Sequence, residues 1–321
     1  AAREPDVEFT LFLDGGGAGD FPLPDGVRTM VVGTAKTVND AAHAGGRRSV
    51  QDLWKMSWAV LRTGMDVFFF PTVYSYFPLP RAVPVLLGIH DTLPERRPEM
   101  AFESRREQRF WEWKMRLALG QATRVLTVSE YSRASIARDL GWPPEKTEII
   151  YQAAHGRYVP GSRHGEYVLH VGGISPNKNL MRLVRAFARV RAEAPGLRLV
   201  LAGDYESDGF KSSHGELREQ IRKLGLEAAV EFAGYVAESE LPGLYGGARM
   251  LAFPSLEEGF GLPAVEAMAC GAPVVAARGH ALEEVVGEAG LLVDPLSEDE
   301  LAGAMLRVLR EEGLAAEMRA R

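Results

Sequence analysis

Residues 253–275 read FPSLEEGFGLPAVEAMACGAPVV, and this stretch decides how the rest of the chain is to be arranged. Two apolar strand candidates, Met250 to Phe253 and Pro273 to Ala276, bracket a glycine-rich loop and one short helix. That order places loop and helix at the carboxyl edge of a parallel sheet, where open α/β folds bind ligands. Gly259 and Gly261 allow backbone conformations closed to other residues, and Pro263 suits a first helical position because it has no amide proton to waste. The helix is therefore expected from about Pro263, with Gly271 ending it. Its free amides and positive dipole end face the loop, a seat for a phosphate or a sugar oxygen. Glu266 lies in AVEAMAC, nearly all small or apolar, where a carboxylate is costly unless paired or hydrogen-bonded. Glu258 lies eight positions earlier, so the two acids can reach one cleft from different elements. Taken singly, each has a plainer reading: Glu258 as a solvated loop residue beside Glu257, Glu266 as a cap on its own helix.

The run Glu258-Gly-Phe-Gly-Leu-Pro263-x-x-Glu266, followed by Ala-Met-Ala-Cys-Gly-Ala-Pro-Val-Val, resembles the signature of the retaining glycosyltransferases of family 4, which have the GT-B fold. The resemblance implies that Glu258 holds hydroxyls of a donor sugar. It implies also that the amides of Gly259, Phe260, Gly261 and Leu262 hold sugar and phosphate oxygens, and that Glu266 binds the ribose of the nucleotide.

At 321 residues the chain is long enough for two domains of ordinary size. No apolar run approaches the roughly 20 residues needed to span a bilayer, and the start does not read as a secretory signal, so a cytoplasmic location is the default expectation. The single cysteine, Cys270, excludes an internal disulfide and a multi-cysteine zinc site. A formal net charge of -6 argues against broad nucleic-acid binding.

In the first half, Val7 to Leu13 reads as a buried strand followed by a glycine-rich turn, Asp14 to Gly19, and Thr29 to Val32 as a second strand. Ser49 to Arg62 has helical spacing, and Asp66 to Phe70 is a short aromatic strand. The loop PTVYSYFPLP offers Tyr74, Tyr76 and Phe77, which suit the faces of an acceptor sugar or equally lid the core. Ala82 to Ile89 leads into His90 and Asp91. Here the resemblance resumes, implying a histidine close to the donor sugar across the cleft; the plain alternative is an imidazole held by Asp91 for structure. Ala101 to Leu119 reads as one long basic and aromatic helix. Such a helix can lie on an anionic membrane and leaves a peripheral membrane contact open, although Glu103, Glu107 and Glu112 favour an ordinary amphipathic helix. The segment ATRVLTVSEYSRASIARDLG resembles the last Rossmann-like unit of the family's first domain.

In the second half, the strand Tyr167 to Val171 runs into GGISPNKN and a helix, the form of a phosphate site at Gly172 and Gly173 with Lys178 bringing a mobile charge, or, taken alone, of any βα turn with an exposed lysine. The resemblance implies that Lys178 binds the donor diphosphate. Many members carry an arginine just after the first glycine where this chain has Gly173, and Pro176 to Asn179 resembles a branch that includes bacterial mannosyltransferases. Val236, after Gly234-Tyr235, is by resemblance the main-chain contact to the nucleobase. Asp204-Tyr-Glu206 sits apart from the inferred sugar site, and no metal-binding Asp-x-Asp pair is evident.

These readings converge on an α/β chain of two Rossmann-like doubly wound domains facing a cleft. Residues 1–160 would bind the acceptor and 161–321 the nucleotide-sugar. Both ends look short against the family, the chain starting at what resembles the second strand and stopping before a helix that crosses back. The implied reaction is transfer of a hexose, with retention and without a required metal or other cofactor, from GDP-mannose or a UDP-sugar to a glycan, lipid-linked or small-molecule hydroxyl. A non-catalytic nucleotide-sugar-binding protein, a phosphorylase and a sugar-nucleotide epimerase are the alternatives.

Overall fold

In a computed structural model, residues 6–14, 26–34, 49–80, 82–161, 165–204 and 213–321 are described. The first lobe carries β1 (Phe9–Asp14) and β2 (Val27–Val32), paired in parallel, and then the helix α1 (Val50–Thr63), begun by Ser49, whose hydroxyl accepts from Asp52 N. Four further strands, β3 (Phe68–Phe70), β4 (Val85–Gly88), β5 (Ala122–Thr127) and β6 (Thr147–Ile149), form an all-parallel sheet in that order. Between β4 and β5 come α2 (Leu93–Arg96), α3 (Pro98–Ala101) and α4 (Arg105–Gln121), and α5 (Glu130–Leu140) joins β5 to β6.

Two expectations for this lobe are corrected. The strand read as buried at Val7 to Leu13 forms, but Val7, Phe9 and Leu11 are exposed. The single long helix from Ala101 is two: Phe102 is extended and buried, and Ser104 caps a fresh start by accepting from Glu107 N. The expected glycine turn lies, from Gly15 onward, outside the described residues, as do Tyr205 and Glu206.

The second lobe is built from the apolar runs that a parallel sheet covered on both faces requires. Its strands are β7 (Tyr167–Val171), β8 (Arg198–Ala202), β9 (Val230–Gly234), β10 (Met250–Phe253), β11 (Val274–Ala277) and β12 (Leu291–Val293). They order as β9-β8-β7-β10-β11-β12, all parallel, so strand order reverses between β7 and β10. Helices α6 (Leu180–Glu193), α7 (His214–Lys223), α8 (Leu241–Gly247), α9 (Leu262–Ala269), α10 (His280–Val286), α11 (Glu298–Arg310) and α12 (Glu312–Ala320) cover it. On α6, Leu183, Val184 and Phe187 are fully buried against this sheet, each contributing about 1.5–3 kcal/mol of burial. No helix among the described residues is long and apolar enough to cross a membrane.

Candidate functional site

In a doubly wound sheet the crevice opens beyond the carboxyl ends of the two strands at which the order reverses. Here those strands are β7 and β10, and the turn or loop after each carries a charged residue of the predicted site. After β7 a short turn, Pro176–Lys178, ends in Lys178; after β10 the loop reaches Glu258. The two meet at 2.6 Å from Nζ to Oε1, both largely buried, and Nζ also lies 5.3 Å from the centre of the Phe253 ring. A largely buried ammonium and carboxylate are held together because each would be costly alone.

Turn and loop are braced against each other. Asn177 O accepts from Leu256 N at 2.7 Å. Asn179, buried and left-handed at φ 60°, donates through Nδ2 to Pro254 O (3.0 Å) and Pro295 O (2.7 Å). Beneath them His170, fully buried in the centre of β7, stacks on Phe253 with ring centres 5.7 Å apart and bonds Ala252 O through Nδ1 at 3.1 Å. A carbonyl only accepts, so Nδ1 carries the proton and Nε2 is left bare; it has no partner among the described residues. Burial drives the imidazole down to about 4, so it is neutral at pH 7.

Helix α9 starts at Leu262, one residue before the expected place, with Gly261 in the left-handed region at φ 99°. That backbone conformation strains any other residue at Gly261, and a Cβ there, 2.3 Å from Leu282 Cδ2, would also force the leucine tip to move. Gly271, also left-handed, ends the helix as expected, and Cys270 is buried. Glu266 has its required partner: Tyr245 Oη donates to Oε2 at 2.9 Å, and Tyr158, its ring 6.0 Å from that of Tyr245, bonds it as well. Burial first, and the Glu266 charge second, raise both phenols, Tyr158 to about 12. Neither tyrosine was singled out in the sequence, where a buried Tyr reads as core. Glu266 makes no direct bond to Lys178 or Glu258 among the described residues. Val236 lines a groove of about 610 Å³ together with Tyr167, Val200, Ala233 and Leu244; the Lys178–Glu258 pair is not part of that lining. Gly172 lies against Lys178, a Cβ there falling 3.4 Å from Cε, whereas Gly173 is exposed with room around it.

The first lobe meets the loop at its backbone. A Cβ at Gly259 would sit 2.0 Å from His90 O, so only glycine permits this approach. Ser129, just before α5, donates to Gly259 O at 2.6 Å, and the single hydroxyl proton of Ser132 is shared between Gly259 O at 2.9 Å and His90 O at 2.8 Å. The His90 side chain is exposed, at the carboxyl end of β4. Asp91 does not hold it: its Oδ1 accepts from Leu93 N at 2.9 Å and opens α2. Tyr76 is corrected. It is 5% exposed, packs on Phe70 at 5.3 Å and donates to Gln121 Oε1 at 2.8 Å, so with Phe77 it closes the core and offers no face to a sugar. Tyr74 is half-buried, its ring 5.0 Å from that of Trp111. Glu257, for which the sequence carried no reading of its own, is buried at 5% exposure and bonded by Arg96 and Tyr131. A loop acid whose partners lie 126 and 161 positions away gives no local signal. Among the described residues, no three potential metal ligands converge.

Comparisons with known proteins bear on the family and the fold. The profile described as Glycosyltransferase Family 4 matches residues 3–154, and that described as Glycosyl transferases group 1 matches residues 165–311. O-antigen chain mannosyltransferase B of Escherichia coli is 30% identical over 274 residues, covering 80% of this chain and 69% of that protein. MMP alpha-(1->4)-mannosyltransferase of Mycolicibacterium hassiacum is 34% identical over 216 residues, covering 64% of this chain, which spans only about half (49%) of that relative's length. Among solved structures, sucrose-phosphate synthase from Thermosynechococcus elongatus superposes with a TM-score of 0.74 at 22% identity, covering 97% of this chain and 82% of that one. Anabaena HepE in complex with UDP and glucose gives 0.72 at 24% identity, covering 92% and 80%. The two profile matches, the Escherichia coli relative and the reversal point at which Lys178 meets Glu258 together establish that the chain belongs to glycosyltransferase family 4 and has the GT-B architecture.

Proposed function

We propose that the chain is a retaining glycosyltransferase that moves a hexose from a nucleoside diphospho-sugar to a hydroxyl of a glycan, lipid-linked or small-molecule acceptor. The observation that carries this reading is the Lys178–Glu258 pair at the strand reversal, beside the free amides that open α9. An entering donor exchanges partners with the pair: its diphosphate takes the ammonium, and the freed Glu258 carboxylate accepts from sugar hydroxyls. As the bond to the anomeric carbon breaks, negative charge grows on the diphosphate, where Lys178 and the amides of residues 259–262 stabilise it. Glu266, held by Tyr245, binds the ribose, Val236 the base through its main chain, and Gly172 and Gly173 give the phosphates close access. His90 faces the sugar from the first lobe. The acceptor proton passes to a donor phosphate oxygen, with attack and departure on one face. Because Lys178 and the amides supply the positive charge, we infer that no metal is required.

GDP-mannose is the favoured donor, supported by the two mannosyltransferase relatives, with UDP-sugars next, supported by the UDP complex of HepE. The reading is tested by incubating GDP-mannose or UDP-glucose with glycan acceptors and following the product anomer by NMR, with and without chelator. Transfer with the donor's configuration, unaffected by chelator, is expected. Inversion overturns retention, loss of turnover with chelator overturns metal independence, and donor binding with no transfer to any acceptor turns the protein into a binding module.

A further inference from the structure

Glu258 is flanked by two residues that are fastened to the opposite lobe. On one side is Glu257, whose carboxylate accepts only from the first lobe among the described residues: from Arg96 Nη1 at 2.7 and 2.9 Å, and from Tyr131 Oη at 2.6 Å. Arg96 also donates to Tyr131 Oη, closing a ring of three groups, and its guanidinium lies 5.7 Å from the centre of the Tyr131 ring. Asp139, fixed by Thr92 at 2.6 Å, stands 3.9 Å from Arg96 Nε on the far side. On the other side of Glu258 is Gly259, whose carbonyl accepts from the hydroxyls of Ser129 and Ser132. The Tyr131 ring is backed from the second lobe by His280, edge-on with centres 6.2 Å apart. A second strap lies nearby: Glu284 of α10 accepts from the backbone N of Glu130 and Tyr131 at 3.1 and 3.2 Å, capping α5 from across the cleft.

Residues 257 and 259 therefore point to one lobe while Glu258 turns to Lys178 on the other. A carboxylate that is buried on its own lobe yet bonded only from the opposite one has little reason to be there unless the contact sets the loop's shape. We propose that Arg96 and Tyr131 are positioning residues which, through Glu257, hold Glu258 and the amides of residues 259–262 in the donor-binding arrangement, so that the acceptor lobe completes the donor site. This rests on the donor reading given above. The clamp touches the loop and leaves the ribose and base contacts, on α9 and after β9, untouched.

The test uses Tyr131→Phe and Arg96→Lys, which keep packing and charge, alongside Glu257→Gln, in the full chain. Hydrogen exchange at the amides of residues 257–262 is expected to speed by about tenfold or more while β10 stays as protected as in wild type. Turnover of whichever of GDP-mannose and UDP-glucose is transferred should fall by about 10- to 100-fold, since a small misplacement of a binding loop costs on this scale. Affinity for GDP or UDP should fall by less than turnover does and with the thermal midpoint unchanged, since the loop amides touch the diphosphate while the ribose and base contacts stay in place, whereas a merely structural defect would lower nucleotide affinity and thermal midpoint together. Unchanged exchange in all three variants overturns the proposal, as does faster exchange with undiminished turnover, or a parallel loss of nucleotide binding and thermal midpoint. A wild-type chain that neither binds GDP or UDP nor transfers sugar overturns the donor reading instead, and the exchange measurement still decides whether the clamp holds the loop.

Discussion

The two lobes bring their groups to the cleft in opposite ways. On the second lobe the charged side chains of the donor reading are paired within that lobe, Lys178 with Glu258, its turn braced by Asn177 and Asn179, and Glu266 with Tyr245 and Tyr158. Glu257, beside Glu258, is held from the first lobe. On the first lobe the fixed parts are backbone atoms and clamps. His90 offers its carbonyl to Ser132 and leaves its ring exposed, and the Arg96–Tyr131 pair reaches outward to Glu257. One lobe thus supplies paired side chains, with only the loop that carries Glu258 fastened from outside. The other supplies the groups that reach across to that loop, Ser129, Ser132, Arg96 and Tyr131.

If the paired side chains of the second lobe hold the donor, damage to them should cost most. Lys178→Ala is expected to lower kcat by about 10²- to 10³-fold while weakening nucleotide affinity far less, because its partner charge builds up during reaction. Steady-state kinetics beside calorimetry separates the two, and equal losses would place Lys178 in ground-state binding only. The interior of the same lobe should show a pH signature. His170 titrates near 6.5 when unfolded but only at about 4 when folded, so protons favour the unfolded chain as pH falls through that window. Stability is fully present above about pH 6.5, and about 3 kcal/mol is lost by pH 4, at 1.36 kcal/mol per pH unit. Urea unfolding at pH 7 and pH 4.5 should show the drop in wild type and a smaller one in His170→Phe; identical drops would contradict the buried neutral imidazole.

Smaller effects sharpen the comparison. Glu266→Ala should weaken GDP or UDP affinity by about tenfold, roughly one charge-assisted hydrogen bond. Unchanged affinity in a titration would remove the ribose assignment. Gly173→Arg is expected to fit, since the nearest atom to a Cβ there, Asp204 O, is 3.7 Å away, and to raise diphosphate affinity by about two- to fivefold through added positive charge. A decrease would mean that the phosphates do not pass over this turn.

What the sequence disclosed follows the same division. Local patterns are readable: GFGLP fixed the start of α9 to within one residue, Gly271 marked its end, apolar runs located β7 and β10, and Glu266 announced by its apolar company that a partner was needed. Which partner it was could not be read, because Tyr245 is brought to Glu266 by packing of α8 on α9 and not by spacing. Glu257 went unread for the same reason, its partners being Arg96 and Tyr131. His170 was hidden inside the apolar run YVLHV, where one polar letter does not disturb a buried strand. The aromatic loop was open between sugar platform and core lid, and only the aromatic cluster of Phe68, Phe70 and Phe77 decided it for Tyr76. Ser104 and the extended Phe102 split what periodicity alone joined into one helix.

The central claim is that one diphospho-sugar is shared by Lys178, Glu258, Glu266 and the amides that open α9. A crystal structure of the chain with whichever of GDP-mannose and UDP-glucose gives heat on titration addresses it directly. The account predicts the diphosphate on Lys178 Nζ and the amides of residues 259–262, the sugar on Glu258 and the ribose on Glu266. A donor seated wholly in the groove lined by Tyr167, Val200 and Leu244, away from Lys178, would contradict it.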